Sequence, residues 1–347
     1  MAKFLRLTVW NANGILKHKE ELQVFLQDQF IDTMLISETH FTDISFLNIP
    51  GYKFYHANHP DNTAHAGTVI LIKSTTNHYP LHNYVKDFLQ ATSIRVKTLL
   101  YEITVSAIYC PPRYHNIKQQ DFLDYFQTRG PKYIIGGDFN CKHLLWGSRL
   151  STTRGRELAK AIHATNCFPL STDTPTYWPA DPGKVPDLLD FYITYGISKS
   201  HMDIEPNYDL SSDHTPMIVT LSTNVITVPK SLKLHNAKTN WQTYRNVLDT
   251  RIQLNISLKT PEEVDVGMDE LTTVLQEATR QATPSPRTPL KARVNNITFD
   301  IKNIILEKRN ARKKWHHSHS PLDKTFFNQL SNRLKKKLKE AQNTSFF

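Results

Sequence analysis

Asp138 and Asn140 end the segment Ile134-Ile135-Gly136-Gly137-Asp138-Phe139-Asn140, where an apolar strand runs through two glycines into a carboxylate and an amide. On an extended backbone, residues i and i+2 face the same way. Asp138 and Asn140 are therefore expected to lean together past the strand end while Phe139 turns into the core. A carboxylate able to take a proton, beside a neutral amide, suits a phosphodiester and its attacking water. An Asx-type turn closing a buried strand uses the same residues without any chemistry.

Four further segments set polar residues against an apolar run. Leu5–Trp10 leads into Asn11-Ala12-Asn13-Gly14, and Thr33–Ile36 into Ser37-Glu38-Thr39-His40. Ile103–Ile108 leads into Tyr109-Cys110-Pro111-Pro112, and Ser211-Ser212-Asp213-His214 precedes Pro216–Leu221. Each alone reads as a turn, a solvated acid or a cap. Together they place site-type residues at five strand ends, where folds collect their functional groups.

Gathered at one end of a layered sheet, Glu38, Asp138, Asp213, Asn11, Asn140 and His214 form a hard, oxygen-rich site. Such a donor set prefers Mg²⁺ or Mn²⁺ to Zn²⁺. Glu38 is the leading metal ligand in this reading, with Asn11 and Asp213 beside it or bound through water. Asp138 positions and deprotonates the water, Asn140 holds the phosphate, and His214 meets a second phosphate oxygen as imidazolium. Asp190, the lone acid in Leu188-Leu189-Asp190-Phe191, needs a buried partner and is expected to keep His214 charged. Tyr109 offers a phenolic hydroxyl to the same phosphate, and also reads as a core aromatic before a Pro-Pro turn.

The elements that must position these groups are short strands separated by turns and few helices. Helices are expected over His18–Gln29, Gln119–Thr128 and Thr153–Thr165, with buried strands at Val69–Ile72 and Leu189–Ile193. This pattern predicts a two-sheet layered α/β or α+β domain, not a simple βαβ repeat. From Thr223 the texture changes. Residues 223–240 read as a linker, Trp241–Ile256 and Val264–Ala282 as helices, and residues 283–289 as a Pro-rich break. Ile301–Trp315 and Phe326–Ala341 read as basic helices, the second carrying Lys335-Lys336-Lys337-Leu338-Lys339.

Charge follows the same division. Of 42 Lys+Arg and 32 Asp+Glu, residues 1–229 hold 20 and 21 (net −1) and residues 230–347 hold 22 and 11 (net +11). A basic segment beside a near-neutral domain can hold a polyanion close to a separate working site, and a solvated helical face is the plainer alternative. No window approaches the roughly eighteen consecutive apolar residues of a membrane span. The N-terminus lacks a secretory core, and three cysteines (Cys110, Cys141, Cys167) without metal spacing read as reduced thiols. A nuclear or cytoplasmic protein is expected, neither secreted nor membrane-bound.

The ordered set Asn11, Ser37-Glu38-Thr39, Tyr109, Gly136-Gly137-Asp138-Phe139-Asn140, Asp190 and Ser212-Asp213-His214 resembles the endonuclease/exonuclease/phosphatase superfamily over residues 4–222. The resemblance narrows at Gly137-Asp138-Phe139-Asn140-Cys141-Lys142-His143, Trp146-Gly147-Ser148, Arg154-Gly155-Arg156 and Thr174-Pro175-Thr176-Tyr177. These are similar to the N-terminal endonuclease of jockey-type non-LTR retrotransposon proteins.

What the resemblance implies is an α+β, DNase I-like four-layer sandwich of two mixed β-sheets flanked by helices, with a basic, mostly helical C-terminal extension. It implies a Mg²⁺-dependent nuclease that nicks double-stranded DNA and leaves a 3′-hydroxyl to prime reverse transcription. Element RNA is a second expected partner, through the basic segment. Leu188 stands where apurinic endonucleases carry arginine, so general nicking is expected over abasic-site recognition, with target choice assigned to loops 41–66 and 172–187. The chain ends at Phe347 before any polymerase-like Tyr-x-Asp-Asp segment. The expected division is residues 1–222 as the enzymatic domain, 223–290 as a linker with helical segments and 291–347 as a basic helical tail. Two rival readings are a phosphatase of the same superfamily acting on phosphoinositides or lipids, and a catalytically silent nucleic-acid binder.

Overall fold

The computed structural model describes residues 2–114, 116–181, 183–225, 235, 238–252, 259–284 and 298–344. In chain order the elements are β1 (Ala2–Asn11), α1 (Lys19–Asp28), β2 (Thr33–Ser37), β3 (Tyr52–Ala57), β4 (Thr68–Lys73), β5 (His78–Pro80) and β6 (Tyr84–Lys86). There follow β7 (Leu89–Lys97), β8 (Glu102–Tyr109), α2 (Gln119–Gln127), β9 (Tyr133–Asp138), α3 (Thr153–Ala164), β10 (Phe168–Leu170) and β11 (Asp190–Tyr195). The remainder are β12 (Met202–Pro206), β13 (Met217–Val225), α4 (Trp241–Arg251), α5 (Pro261–Ala282), α6 (Phe299–Ser318) and α7 (Pro321–Thr344).

Alternation along the strands decides the layering. Leu5, Leu7 and Val9 of β1, Leu35 of β2, Ile70 and Ile72 of β4, and Met217, Val219 and Leu221 of β13 enter one apolar core. Their neighbours Trp10, Met34, Ile36, Val69, Leu71 and Ile218 enter a second. A strand apolar at both parities is buried on both faces, so this sheet lies between two layers. It has six strands in the order β12-β13-β1-β2-β4-β3, with β1 and β2 parallel. The other sheet has seven strands, β10-β11-β9-β8-β7-β5 with β6 also on β7, and β8 and β9 are parallel. The two sheets face each other across the first core, and α1 covers the outer face of the first sheet through Leu22, Phe25 and Leu26. Phe122, Tyr125 and Phe126 of α2 and Leu158, Ala161 and Ile162 of α3 pack with the second sheet. The result is the expected four-layer α+β sandwich, DNase I-like in arrangement.

The chain divides into two compact units, Met1–Val228 with Ile297–Phe347, and Pro229–Asn296. The second is a helix pair. Asn240 caps α4 by accepting from the backbone N–H groups of Gln242 and Thr243, and Thr260 with Glu263 forms a capping box on α5. The expected helix over Trp241–Ile256 is described only as far as Ile252. Most of the linker expected at 223–240, and positions 285–289 of the Pro-rich break, lie outside the described residues.

Helices α6 and α7, in the segment expected to be a basic helical tail, pack on the sandwich within the first unit. The reason is an apolar stripe: Ile301, Ile304, Leu334 and Leu338 bury with Val24 of α1, while Ala311, Trp315, Phe327 and Leu330 bury with Trp178. Among the described residues no helix is long and apolar enough to cross a membrane.

The paired glycines before Asp138 answer to close approach. A Cβ on Gly137 would sit 1.9 Å from the Ile108 carbonyl oxygen, and one on Gly136 would sit 2.6 Å from the Tyr192 ring. Gly137→Ala must therefore push β8 off β9. A loss of about 2–3 kcal/mol or more is expected, read as a lower urea midpoint.

Candidate active site at the sheet ends

Strand register assembles the site before any side chain is placed. In the second sheet Tyr109 lies opposite Asp138, and Asp138 opposite Asp190, so three adjacent strands contribute one row. In the first sheet Asn11 lies opposite Ser37. Ser37 ties the rows together: its hydroxyl donates to the Ile108 carbonyl (2.9 Å) and accepts from the Asp138 N–H (3.2 Å).

Asp138 is almost fully buried and well supplied with donors. Asn11 Nδ2 donates to its Oδ2 at 2.9 Å, Asn140 Nδ2 to the same oxygen at 2.8 Å, and the Asn140 N–H to Oδ1 at 2.8 Å. Asn140 reaches it differently from expectation. It adopts φ 47°, not an extended conformation, and an Asx turn brings it back onto Asp138. Phe139 is buried, as expected. The remaining Asn11 group, Oδ1, accepts from the Asn13 N–H at 3.0 Å.

Beside this carboxylate lies an ion pair. His214 Nδ1 is 2.6 Å from Asp190 Oδ2, with both side chains buried. The Asp190 N–H donates to Thr176 Oγ1 at 3.0 Å, and the Tyr177 ring lies 4.9 Å from the imidazole. Ser212 Oγ accepts from Trp10 Nε1 (2.7 Å) and donates to the Asn11 carbonyl (2.8 Å), pinning the loop before β13 to the end of β1.

Glu38 and Asp213 form the half-buried outer edge. Glu38 adopts φ 49° and accepts from the Tyr109 hydroxyl at 2.5 Å, while Asp213 Oδ1 is 3.5 Å from Asn13 Nδ2. Asn13, Ser37, Thr176, Tyr177 and Ser212 fall within the sequence motifs, yet sequence alone assigns them no role. Their contribution depends on pairing between distant strands, which no local pattern displays.

Burial, then Asp190 and Glu38, push the Asp138 carboxyl well above the usual carboxylate range. Burial alone would lower His214, but Asp190 beside it raises the imidazole to about 10. Burial and Glu38 raise the Tyr109 phenol, leaving it protonated and a donor. Within this site the acid and imidazole atoms near enough to one another to share an ion are those of Asp138, Asp190 and His214, and Glu38 is outside that trio. Since Nδ1 of His214 is already committed to Asp190, the trio suits proton handling better than caging a metal. A hard cation nevertheless fits the neighbourhood. Its ligands would be oxygens, and the buried Asp190 Oδ1 has no hydrogen-bond partner while the Asp138 carboxylate stands beside it in register.

Two facing mixed sheets with buried acid, amide and imidazole groups at one end give the chain a DNase I-like fold. A family model for endonuclease-reverse transcriptase proteins matches residues 103–218. Over 335 residues the chain is 35% identical to a probable RNA-directed DNA polymerase from transposon X-element of Drosophila melanogaster, covering 95% of this chain and 36% of that protein. It is 32% identical to the RNA-directed DNA polymerase from mobile element jockey of the same fly, covering 99% of this chain and 38% of the relative. The chain thus spans a little over a third of the length of these relatives. Among solved structures, the endonuclease domain of TRAS1, a telomere-specific non-LTR retrotransposon, superposes with TM-score 0.52 at 20% identity, covering 66% of this chain and 100% of that domain. An AP endonuclease from Leishmania major gives TM-score 0.52 at 14% identity over 63% of this chain and 88% of its own. Along nearly its whole length the chain is thus similar to part of the jockey-type RNA-directed DNA polymerases, and its sandwich has the fold of the TRAS1 endonuclease domain.

The His214–Asp190 pair has a direct test. With its folded pKa raised above the unfolded value of about 6.5, the pair's contribution to stability is full below that value. It is lost as pH rises through about 10. The His214 ring signals in NMR should titrate near 10 in the parent chain, and Asp190→Asn should bring the midpoint down. An unchanged midpoint would show that Asp190 does not set it.

Proposed function

We propose that this chain is a Mg²⁺-dependent DNA endonuclease, with Mn²⁺ accepted, that nicks one strand of double-stranded target DNA and leaves a 3′-hydroxyl for target-primed reverse transcription. The observation that carries this reading is the buried Asp138, gripped by Asn11 and Asn140 next to the Asp190–His214 ion pair. In this reading Asp138 takes the proton of a water that attacks phosphorus. The P–O3′ bond breaks, the 3′ oxygen leaves and takes up a proton, and a 5′-phosphate remains on the other side of the nick. A carboxylate whose pKa is raised is the stronger base for that step. Asn140 orients a phosphate oxygen, His214 as imidazolium neutralises another, and Tyr109 donates to a third or holds Glu38 in place. A divalent cation held by Glu38, with Asn11 and Asp213 beside it, would neutralise charge developing on the phosphate.

The nucleus or the cytoplasm is the proposed compartment, and double-stranded DNA the substrate. Element RNA is proposed for the exposed lysines of α6 and α7. These replace the whole basic segment in that role, since part of it faces inward.

Supercoiled plasmid should relax in Mg²⁺ and stay intact in EDTA. Asp138→Asn, Glu38→Gln and His214→Ala should each slow nicking on the order of 10²-fold or more, because charge-stabilising groups at a reacting centre each contribute a few kcal/mol. Parental nicking by the Asp138 variant would remove it as the water-activating group. Phosphate release from inositol phosphates with plasmid uncut would move the function to a phosphatase. Lys336 and Lys339 are exposed on α7. Their exchange for glutamine should flatten the salt dependence of RNA binding by about one unit of slope for each phosphate no longer neutralised.

A further inference from the structure

Helix α6 carries two fully buried cations on the stripe that packs against the sandwich. Lys308 and Arg312 are both 0% exposed and sit among Ile301, Ile304, Ala311 and Trp315 at three- and four-residue spacing. A helix that only needed to pack would place aliphatic side chains there. Burying an ammonium and a guanidinium costs free energy unless their donors are satisfied.

Most of their partners lie on one loop, the segment before β13. Lys308 Nζ donates to the Asp209 carbonyl and to Ser211 Oγ (2.9 Å), and pairs with the buried Glu21 of α1. Arg312 donates to the Leu210 carbonyl, to the Ser212 carbonyl at 3.0 Å and to the His214 carbonyl at 3.0 Å. The Asp213 carbonyl accepts from the Trp178 N–H at 2.8 Å. Trp178 itself stacks on His316 of α6, with centroids 3.5 Å apart and planes within 7°. Five carbonyls between 209 and 214 are thus held by α6 or by the residue α6 holds. A planar fork with five N–H donors can bridge three carbonyls at once, and a lysine ammonium has no such geometry.

We infer that Arg312 is a positioning residue for the endonuclease site, fixing the backbone of Ser212-Asp213-His214 so that the Asp213 carboxylate and the His214 ring meet the phosphate. The inference rests on the proposed nuclease reading and deepens it. The helix following the sandwich becomes part of the site's support, although it touches neither substrate nor metal.

The test uses the full chain with Arg312→Ala and Arg312→Leu. Both should lower kcat for plasmid nicking on the order of 10²-fold, with KM nearly unchanged, as expected for catalytic groups displaced by about an ångström. Guanidinium ion in the millimolar range should restore part of the rate to Arg312→Ala, which leaves a guanidinium-shaped space, and none to Arg312→Leu, which fills it. Hydrogen exchange on DNA-free protein should show faster amides at 211–214, with β1 and β9 still protected. Parental kcat in both variants would overturn the inference. Loss without rescue, together with faster exchange throughout the sheets, would also overturn it, since that marks a merely structural arginine. If the parent chain itself fails to nick DNA, the nuclease reading falls, while the exchange measurement still decides whether Arg312 fixes the loop.

Discussion

Repulsion among neighbouring carboxyl groups is the constraint around which this domain is organised. Asp138 and Asp190 face each other in register on adjacent strands, and Glu38 is close enough to raise Asp138 further. Water cannot screen the buried pair, so the protein must supply the compensation. It does so with amides from Asn11 and Asn140 for one carboxylate and an imidazolium for the other. These donors come from both sheets and from the loop before β13. The sheets therefore cannot slide relative to one another without uncovering charge, and Ser37 stitches the seam at that point.

Much of this is legible in the chain. Alternating apolar positions reveal the inner strands and the sandwich class, because burial on both faces leaves its mark at both parities. The pairing of Asp190 with His214 follows from chemistry alone: a single acid in an apolar strand demands a partner. The register rows are not legible, since hydrogen-bonded neighbours such as Asp138 and Asp190 lie 52 positions apart (190 − 138). The short strands β5 and β6 carry mixed polarity, and β10 is three residues with a proline at its centre, so none of them leaves a clear signature. Asn140 meets Asp138 by turning back, where an extended chain is the expectation. Asparagine tolerates that left-handed geometry readily, so residue type points to the position and not to the conformation.

The C-terminal helices show where a charge count misleads. An excess of +11 beyond residue 229 suggests a surface for polyanions, yet Lys308, Arg309 and Arg312 turn toward the protein. Net charge reports how many cations are present and nothing about their direction. Following the apolar stripe of α6 finds positions 308 and 312 on its buried side.

The thiols of Cys110 and Cys141 are each one residue beyond a proposed site residue, Tyr109 and Asn140, and both are fully buried with their ionisation suppressed, Cys110 pushed up to about 12. A neutral, enclosed sulfur reacts slowly with alkylating reagents and oxidants. These two atoms therefore act as built-in clocks. The rate at which maleimide reaches them reports how often the rim of the sandwich breathes, without any engineered mutation.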